Sequence, residues 1–321
     1  MKAIVWMLAC CGVVPPARSM AAWELKELKS FPGPIRHAAL SPDGKILAVY
    51  DKGLKLWDVD AGKEVATLSG DLTHGEALAF GPDGKRLFAS GAGVLTVWDV
   101  ETRKVRTTLK GHGEAATGLS FDAGGKRLAS ANSREVKVWD VDAGKELMGF
   151  KRRFACYLPV TFSSDLKTLA VPNFQDIDLW DVQSGKIRAT LAEHRGGVER
   201  LAFSADGKTM IAASCRTEGD RVFIGEVKLW DIATDKTRAT FAAHLGMIRQ
   251  IIPSPDGKTL ALRHYPEHDS NAEVMLLDVA TGRQHVFPAA EKDNFQSLLF
   301  RPDGRLLVLG DLGKLWQISR R

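Results

Sequence analysis

Five Trp-Asp pairs stand at residues 57–58, 98–99, 139–140, 180–181 and 230–231, and Leu277-Asp278 and Trp316-Gln317 extend the series to seven. Seven turn-forming stretches alternate with them: SPDGK (41–45), GPDGK (81–85), DAGGK (122–126), SSDLK (163–167), SADGK (204–208), SPDGK (254–258) and RPDGR (301–305). The step from each Trp position to the Asp position of the next turn is the same in all six cases: 57→83, 98→124, 139→165, 180→206, 230→256 and 277→303, with Gly124 standing for Asp once. The return step, from turn to Trp position, varies. A spacing held six times over marks a structural unit copied along the chain, not a single site. The near-identical stretches LKLWDVDAGKE (54–64) and VKVWDVDAGKE (136–146) are then two copies of one scaffold element, two repeats apart.

Short runs such as KILAVY and GLKLWDV fill the space between these markers. They are rich in β-branched and aromatic residues and bounded by Gly-containing turns, which is the pattern of strands. No segment sustains helical periodicity. Each repeat therefore holds four strands: a before the PDGK-type turn, b after it, c ending in Trp-Asp, and d beyond. All length variation falls between b and c, with large expansions at about 215–225 and 264–273. The last repeat ends soon after Trp316, without a d strand. Counting the constant step back from Asp43 places a virtual Trp position at 17 and predicts the missing d strand over residues 25–28, LKEL. That strand closes the array and removes an open sheet edge.

Units with a Gly-His dipeptide, an SPDGK-type turn and an LWD ending resemble the WD-repeat (WD40) family, and the resemblance covers residues 23–318. It implies an all-β fold: a single seven-bladed β-propeller of four-stranded antiparallel blades, with the ring closed by an N-terminal strand completing the last blade. The physical logic agrees, because one blade cannot bury both faces but blades around an axis bury each other's. The structural positions implied are Trp57, Asp58, Trp98, Asp99, Trp139, Asp140, Trp180, Asp181, Trp230, Asp231 and Trp316. Family members commonly bury a tetrad of His, Ser or Thr, Asp and Trp. The His position, at a fixed step before the turn Asp, holds Phe31, Asp71, His112, Arg153, His194, His244 and Glu291. The expectation is a mostly absent tetrad, with His112, His194 and His244 structural. His112, Ser130 and Trp139 stand in place in the third repeat, but its b–c turn has no Asp.

Residues 1–21 differ from the rest. Lys2 precedes the apolar run AIVWMLACCGVV and the small-residue end ARSMAA, a secretory signal peptide in form. The expected domains are residues 1–21, cleaved, and 22–321, the propeller. The run is too short for a permanent membrane span, so the protein is expected in the periplasm or secreted; a lipoprotein or a cytoplasmic protein is the other option. Net charge is +5 with the signs interleaved, which gives no nucleic-acid footprint. Cleavage leaves Cys156 and Cys215, read as two small buried thiols with a bridge as the other possibility.

No nucleophile elbow, dinucleotide fingerprint or phosphate loop is present. HYPEHD (264–269) has metal-ligand residue types, but its place in a hairpin insertion reads as a solvated loop. Neither a cofactor nor a metal is expected. The d–a and b–c loops share one face, the top, and hold every insertion; the bottom turns are short and repetitive. Function tends to sit where a rigid scaffold carries variable loops. The candidate binding residues are Arg36, His74, Glu76, Arg152, Arg153, Phe154, Tyr157, Glu199, Arg216, Arg221, Arg249, Arg263, His264, Tyr265 and His268. The expected function is an exported, monomeric, non-catalytic protein-protein interaction scaffold. The alternative is a small-ligand-binding or lactonase-like propeller enzyme, which would need titratable groups converging on a central top pocket.

Overall fold

A computed structural model describes residues 23–31, 35, 37–50, 53–69, 77–151, 160–165, 167–218, 222–243, 246–266, 271–288 and 294–320. The described chain is all β, in seven four-stranded antiparallel sheets. The first strand, β1 (Trp23–Ser30), belongs to the last blade. Blade 1 holds β2 (His37–Leu40), β3 (Ile46–Tyr50), β4 (Leu54–Asp58) and β5 (Lys63–Leu68). Blade 2 holds β6 (Leu78–Phe80), β7 (Arg86–Ser90), β8 (Val94–Asp99) and β9 (Val105–Lys110). Blade 3 holds β10 (Gly118–Phe121), β11 (Arg127–Ala131), β12 (Glu135–Asp140) and β13 (Lys145–Lys151). Blade 4 holds β14 (Thr161–Phe162), β15 (Thr168–Asn173), β16 (Asp176–Asp181) and β17 (Lys186–Leu191). Blade 5 holds β18 (Gly197–Phe203), β19 (Thr209–Glu218), β20 (Val222–Asp231) and β21 (Lys236–Ala243). Blade 6 holds β22 (Met247–Pro253), β23 (Thr259–Tyr265), β24 (Glu273–Asp278) and β25 (Gln284–Phe287). Blade 7 holds β26 (Phe295–Phe300), β27 (Leu306–Gly310) and β28 (Lys314–Arg320), joined by β1 in the order β1-β28-β27-β26.

The ring therefore closes as the constant spacing requires. The closing strand extends beyond the expected 25–28 at both ends, with Trp23 opposite Arg320 and Ser30 opposite Lys314. Phe31 N donates to Gly313 O at 2.7 Å and continues the pairing past the strand end.

The two repeated motifs make the bottom turns. In each Trp-Asp pair the Asp turns its carboxylate onto the c–d turn: Asp58 Oδ1 accepts from Ala61 N at 2.7 Å, Asp140 Oδ1 from Ala143 N at 2.8 Å, and Asp181 Oδ1 from Ser184 N at 2.7 Å. One residue further the chain takes positive φ, as Gly62 (62°) and Gly144 (66°) do cheaply. Blades 2 and 5 place Arg103 (62°) and Asp235 (55°) there instead. At the a–b turns, Ser41 Oγ donates to Asp43 Oδ1 at 2.6 Å and accepts from Ile46 N, a local turn that Ser163, Ser204 and Ser254 repeat.

Seven clusters of buried residues form the core, each built from two neighbouring blades. Between blades 5 and 6, for example, Ile211, Val227 and Leu229 meet Ile248, Leu260 and Met275. Every residue of β7 and of β27 is buried, because strand b faces a neighbour on either side. Burying a side chain such as Phe88 contributes about 2–3 kcal/mol.

Two interfaces are also clasped at the bottom by a buried arginine. Arg86 of blade 2 reaches Asp142 of blade 3 at 3.1 Å and Gly125 O at 2.9 Å. Arg301 of blade 7 reaches Asp60 of blade 1 at 3.0 Å, and the Arg301 guanidinium holds the Asp60 carboxyl below its usual range. Asp60 and Asp142 are the same residue of the twin DVDAGK stretches, so their likeness extends to a shared ion-pair partner type. Between blades 3 and 4, 5 and 6, and 6 and 7, clefts of about 370, 300 and 500 Å³ open instead on this face.

Both large insertions lengthen strands. In blade 5, β19 and β20 pair without interruption from Thr209↔Asp231 out to Glu218↔Val222, extending a long hairpin above the blade. In blade 6, His264 pairs with Glu273 inside the sheet.

Candidate interaction face

The top face is built on side-chain networks that lock the ends of the blades. In blade 3, Trp139 Nε1 donates to Ser130 Oγ at 2.7 Å, and Ser130 Oγ lies 2.6 Å from His112 Nε2. The other ring nitrogen, Nδ1, stands 3.0 Å from Glu135 Oε1. In blade 5, Trp230 Nε1 donates to His194 Nε2 at 3.3 Å, and His194 Nδ1 lies 3.1 Å from Ser214 Oγ and 3.4 Å from Glu226 Oε1. Two four-membered networks thus exist, and no turn Asp enters either. The acid is Glu, not Asp, and comes from strand c, one helical-turn's length of sequence before the Trp. A search of the b–c turn for Asp passes over it; the recurrence of Glu at 135, 226 and 273 is the sequence signal. Burial holds both histidines neutral, pushing His112 below its usual range and His194 to about 4.

Other blades solve the Trp end differently. Phe31 packs edge-on to Trp57 with ring centroids 5.0 Å apart, Phe150 stacks on Trp180 at 3.8 Å, and Trp98 Nε1 donates to Ser69 O at 3.1 Å. Asp71, Arg153, His244 and Glu291, at the remaining His positions, lie outside the described residues.

The inner wall is asymmetric. In blades 5, 6 and 7 strand a carries a β-bulge, placing Glu199, Arg249 and Gln296 as the extra residues. The inner strands of blades 1 to 4 pair without one over their described residues. Side chains tie these strands from blade to blade. Glu199 Oε2 accepts from Ile248 N at 2.8 Å, Arg200 Nε donates to Arg249 O, and the Gln250 amide bridges Leu298 N and O at 2.8 and 2.9 Å. Burial pushes the Glu199 carboxyl up from its usual value.

Of the candidate binding residues, Arg36, His74, Glu76, Arg152, Arg153, Phe154, Tyr157, Arg221 and His268 lie outside the described residues, as does Cys156. The structure brings Glu199, Arg249, Arg263 and Tyr265 together at the top of blades 5 and 6, where Arg249 is exposed and the others half-buried. Arg216, half-buried on β19, belongs to the extended hairpin. His264 is not a surface group: it is buried, with Nε2 3.7 Å from Glu273 Oε2, and takes the place Ser214 holds in blade 5. A strand-b position facing its neighbour is interior, even though its sequence context is an insertion. Cys215 is a free thiol, and burial raises its pKa to about 11. Among the described residues no three His, Cys, Asp or Glu side chains stand close enough to hold a metal ion, and no helix is long and apolar enough to cross a membrane.

Two exposed apolar residues on this face carry no signal in the repeat pattern. Phe174, at the tip of the b–c turn of blade 4, is 67% exposed and has φ 59°; Leu312, at the corresponding turn of blade 7, is 56% exposed. Such a turn position favours Asn or Gly, and positive φ is an outlier for a bulky aromatic.

A family model described as WD domain, G-beta repeat, matches residues 25–58, 103–140 and 185–221. No curated protein matches the sequence. Each match starts close to the beginning of an outer strand and runs into the next blade, and the first two end on the Asp of a Trp-Asp pair. Three matched WD repeats, in register with four further copies of the same unit, are thus built into one closed seven-bladed β-propeller.

Proposed function

We propose that this propeller is an exported, non-catalytic scaffold that takes a partner protein on its top face. WD-repeat propellers serve generally in protein interaction, and the observation that carries the reading to this face is Phe174. A left-handed conformation costs a residue with a Cβ about 1–2 kcal/mol, yet it holds a phenyl ring out at 67% exposure. Strain kept at a rigid turn tip, with an aromatic facing water, has the character of a binding anchor. Export is supported by the apolar leader and by the place of β1: cleavage after Ala21 leaves the closing strand, which begins at Trp23, intact.

The experiment is affinity capture from an envelope extract with wild type and Phe174→Gly. Glycine relieves the backbone and removes the ring, so thermal stability should hold or rise while the partner is lost. A partner retained by Phe174→Gly, and by a variant with Arg153, Phe154 and Tyr157 all replaced, would move the site off this face. N-terminal sequencing of the processed protein should begin at Ala22; a retained Met1 in the cytoplasmic fraction would refute export.

A further inference from the structure

Arginines cluster beside the bulges of blades 5 and 6. Arg249 sits on the bulge between Ile248 and Gln250, whose strand partners are His264 and Arg263, so the two arginines share one end of blade 6. Arg263 lies over the Tyr265 ring, 5.7 Å from its centroid, and Nη1 donates to Tyr265 Oη at 3.3 Å and Phe295 O at 3.1 Å. Its Nε is sealed from solvent with no acceptor, and Nη2 has no partner among the described residues. Neither Arg263 nor Arg249 makes an ion pair among the described residues. A third guanidinium, Arg200, donates to the Arg249 carbonyl. Glu199 feels the Arg200 and Arg249 charges but is not among the groups acting on Arg263, and its Oε2 accepts from Ile248 N.

A half-buried guanidinium beside like charges is unfavourable unless an anion completes it. Burial, with the Arg249 charge adding to it, pushes Arg263 below the usual arginine range. Elsewhere the protein answers its buried arginines with carboxylates, Asp142 for Arg86 and Asp60 for Arg301. Bulges re-aim side chains and concentrate beside functional sites, and among the described inner strands they occur only on the wall that bears these arginines. We propose that the bulged inner strands of blades 5 to 7 form an oxyanion site, in which Arg249 and the unengaged Nη2 of Arg263 hold a carboxylate or phosphate group. Tyr265 and the Phe295 carbonyl fix the Arg263 plane in advance, so little side-chain freedom is lost on binding. The site needs no protein partner and stands or falls independently of Phe174.

The test is thermal unfolding of the full chain in about 20 mM inorganic phosphate against sodium chloride of matched ionic strength. Phosphate should raise the midpoint by roughly 2 °C or more, and isothermal titration should show one site. Arg249→Ala, which removes an exposed side chain, should abolish the phosphate-specific shift without lowering the chloride midpoint. Arg263→Met keeps the stem on Tyr265 and should also lose it; should that variant fail to fold, Arg249→Glu gives the second reading. No phosphate-specific shift in wild type, or an equal shift in Arg249→Ala and Arg249→Glu, overturns the site. Competition by a hexaglutamate peptide assigns the oxyanion to an acidic chain, and its absence assigns a free anion.

Discussion

Removing the clasp between blades 2 and 3 is the sharpest test of how the ring holds together. Arg86 is 7% exposed and makes three charge-assisted bonds, to Asp83 Oδ2 (3.0 Å), Asp142 Oδ1 (3.1 Å) and Gly125 O (2.9 Å). Arg86→Met keeps most of the buried stem and deletes the donors. The loss is not three full bonds. Asp142, 57% exposed, and Asp83, 34% exposed, regain water once the arginine is gone. Gly125 O, bonded inside the interface, loses its side-chain donor there. One orphaned buried acceptor plus two weakened charged bonds come to about 3 kcal/mol. At roughly 0.6 kcal/mol per degree for a chain of this length, the unfolding midpoint should drop about 5 °C. The control is Arg106→Met: Arg106 also approaches Asp142, at 3.8 Å, but is 52% exposed, and an exposed pair is worth about 0.5 kcal/mol or less. Urea and thermal unfolding of both variants decide the matter. Equal losses in Arg86→Met and Arg106→Met would refute the view that burial gives the clasp its strength.

Deleting residues 22–30 removes β1 and leaves β28 without its outer partner, so the midpoint should fall for the whole propeller; unchanged unfolding would contradict ring closure. Arg103→Gly should stabilise by about 1 kcal/mol by relieving positive φ at an exposed turn. Asp235→Gly, at the equivalent turn, should show no such gain, because Asp235 grips Arg188 at 2.9 and 3.0 Å; circular-dichroism melts separate the two. His194 titrates at about 4 in the folded chain against 6.5 ordinarily, so between those values the unfolded chain binds the proton and the folded chain does not. Stability should therefore fall as pH drops from 6.5 to 4, by about 2–3 kcal/mol, with His112 adding in the same direction and Glu199 opposing. Urea midpoints across this range should show a shallower slope in His194→Gln.

The ring is legible in the sequence because its defining distances lie on the chain: two turn motifs in fixed alternation determine blade count, strand order and the closing strand. The tetrad acids are not, because Glu135 and Glu226 act from strand c while the repeat pattern points to an Asp in the turn. His264 escapes for a related reason. Composition marks an insertion as surface, but register decides which of its residues point inward, and register is set by pairing with Glu273 across the hairpin. Phe174 has no sequence signal at all. Its significance rests on a dihedral angle, which residue type predicts only when it is Gly or Asn. The bulges at Glu199, Arg249 and Gln296 are equally silent, since the step from Trp position to next turn is the same in blades with and without them, the extra residue being absorbed within that step.

Closure by β1 also orders the protein's biosynthesis. Trp23 pairs with Arg320, so the two halves of the last blade emerge from the ribosome about 300 residues apart. Until β28 arrives, β1 has no sheet to join, and blade 1 shows an apolar flank of Leu47, Val49 and Trp57 that only blade 7 covers. Assembly of this ring is thus gated by its final residues, a slow, long-range step.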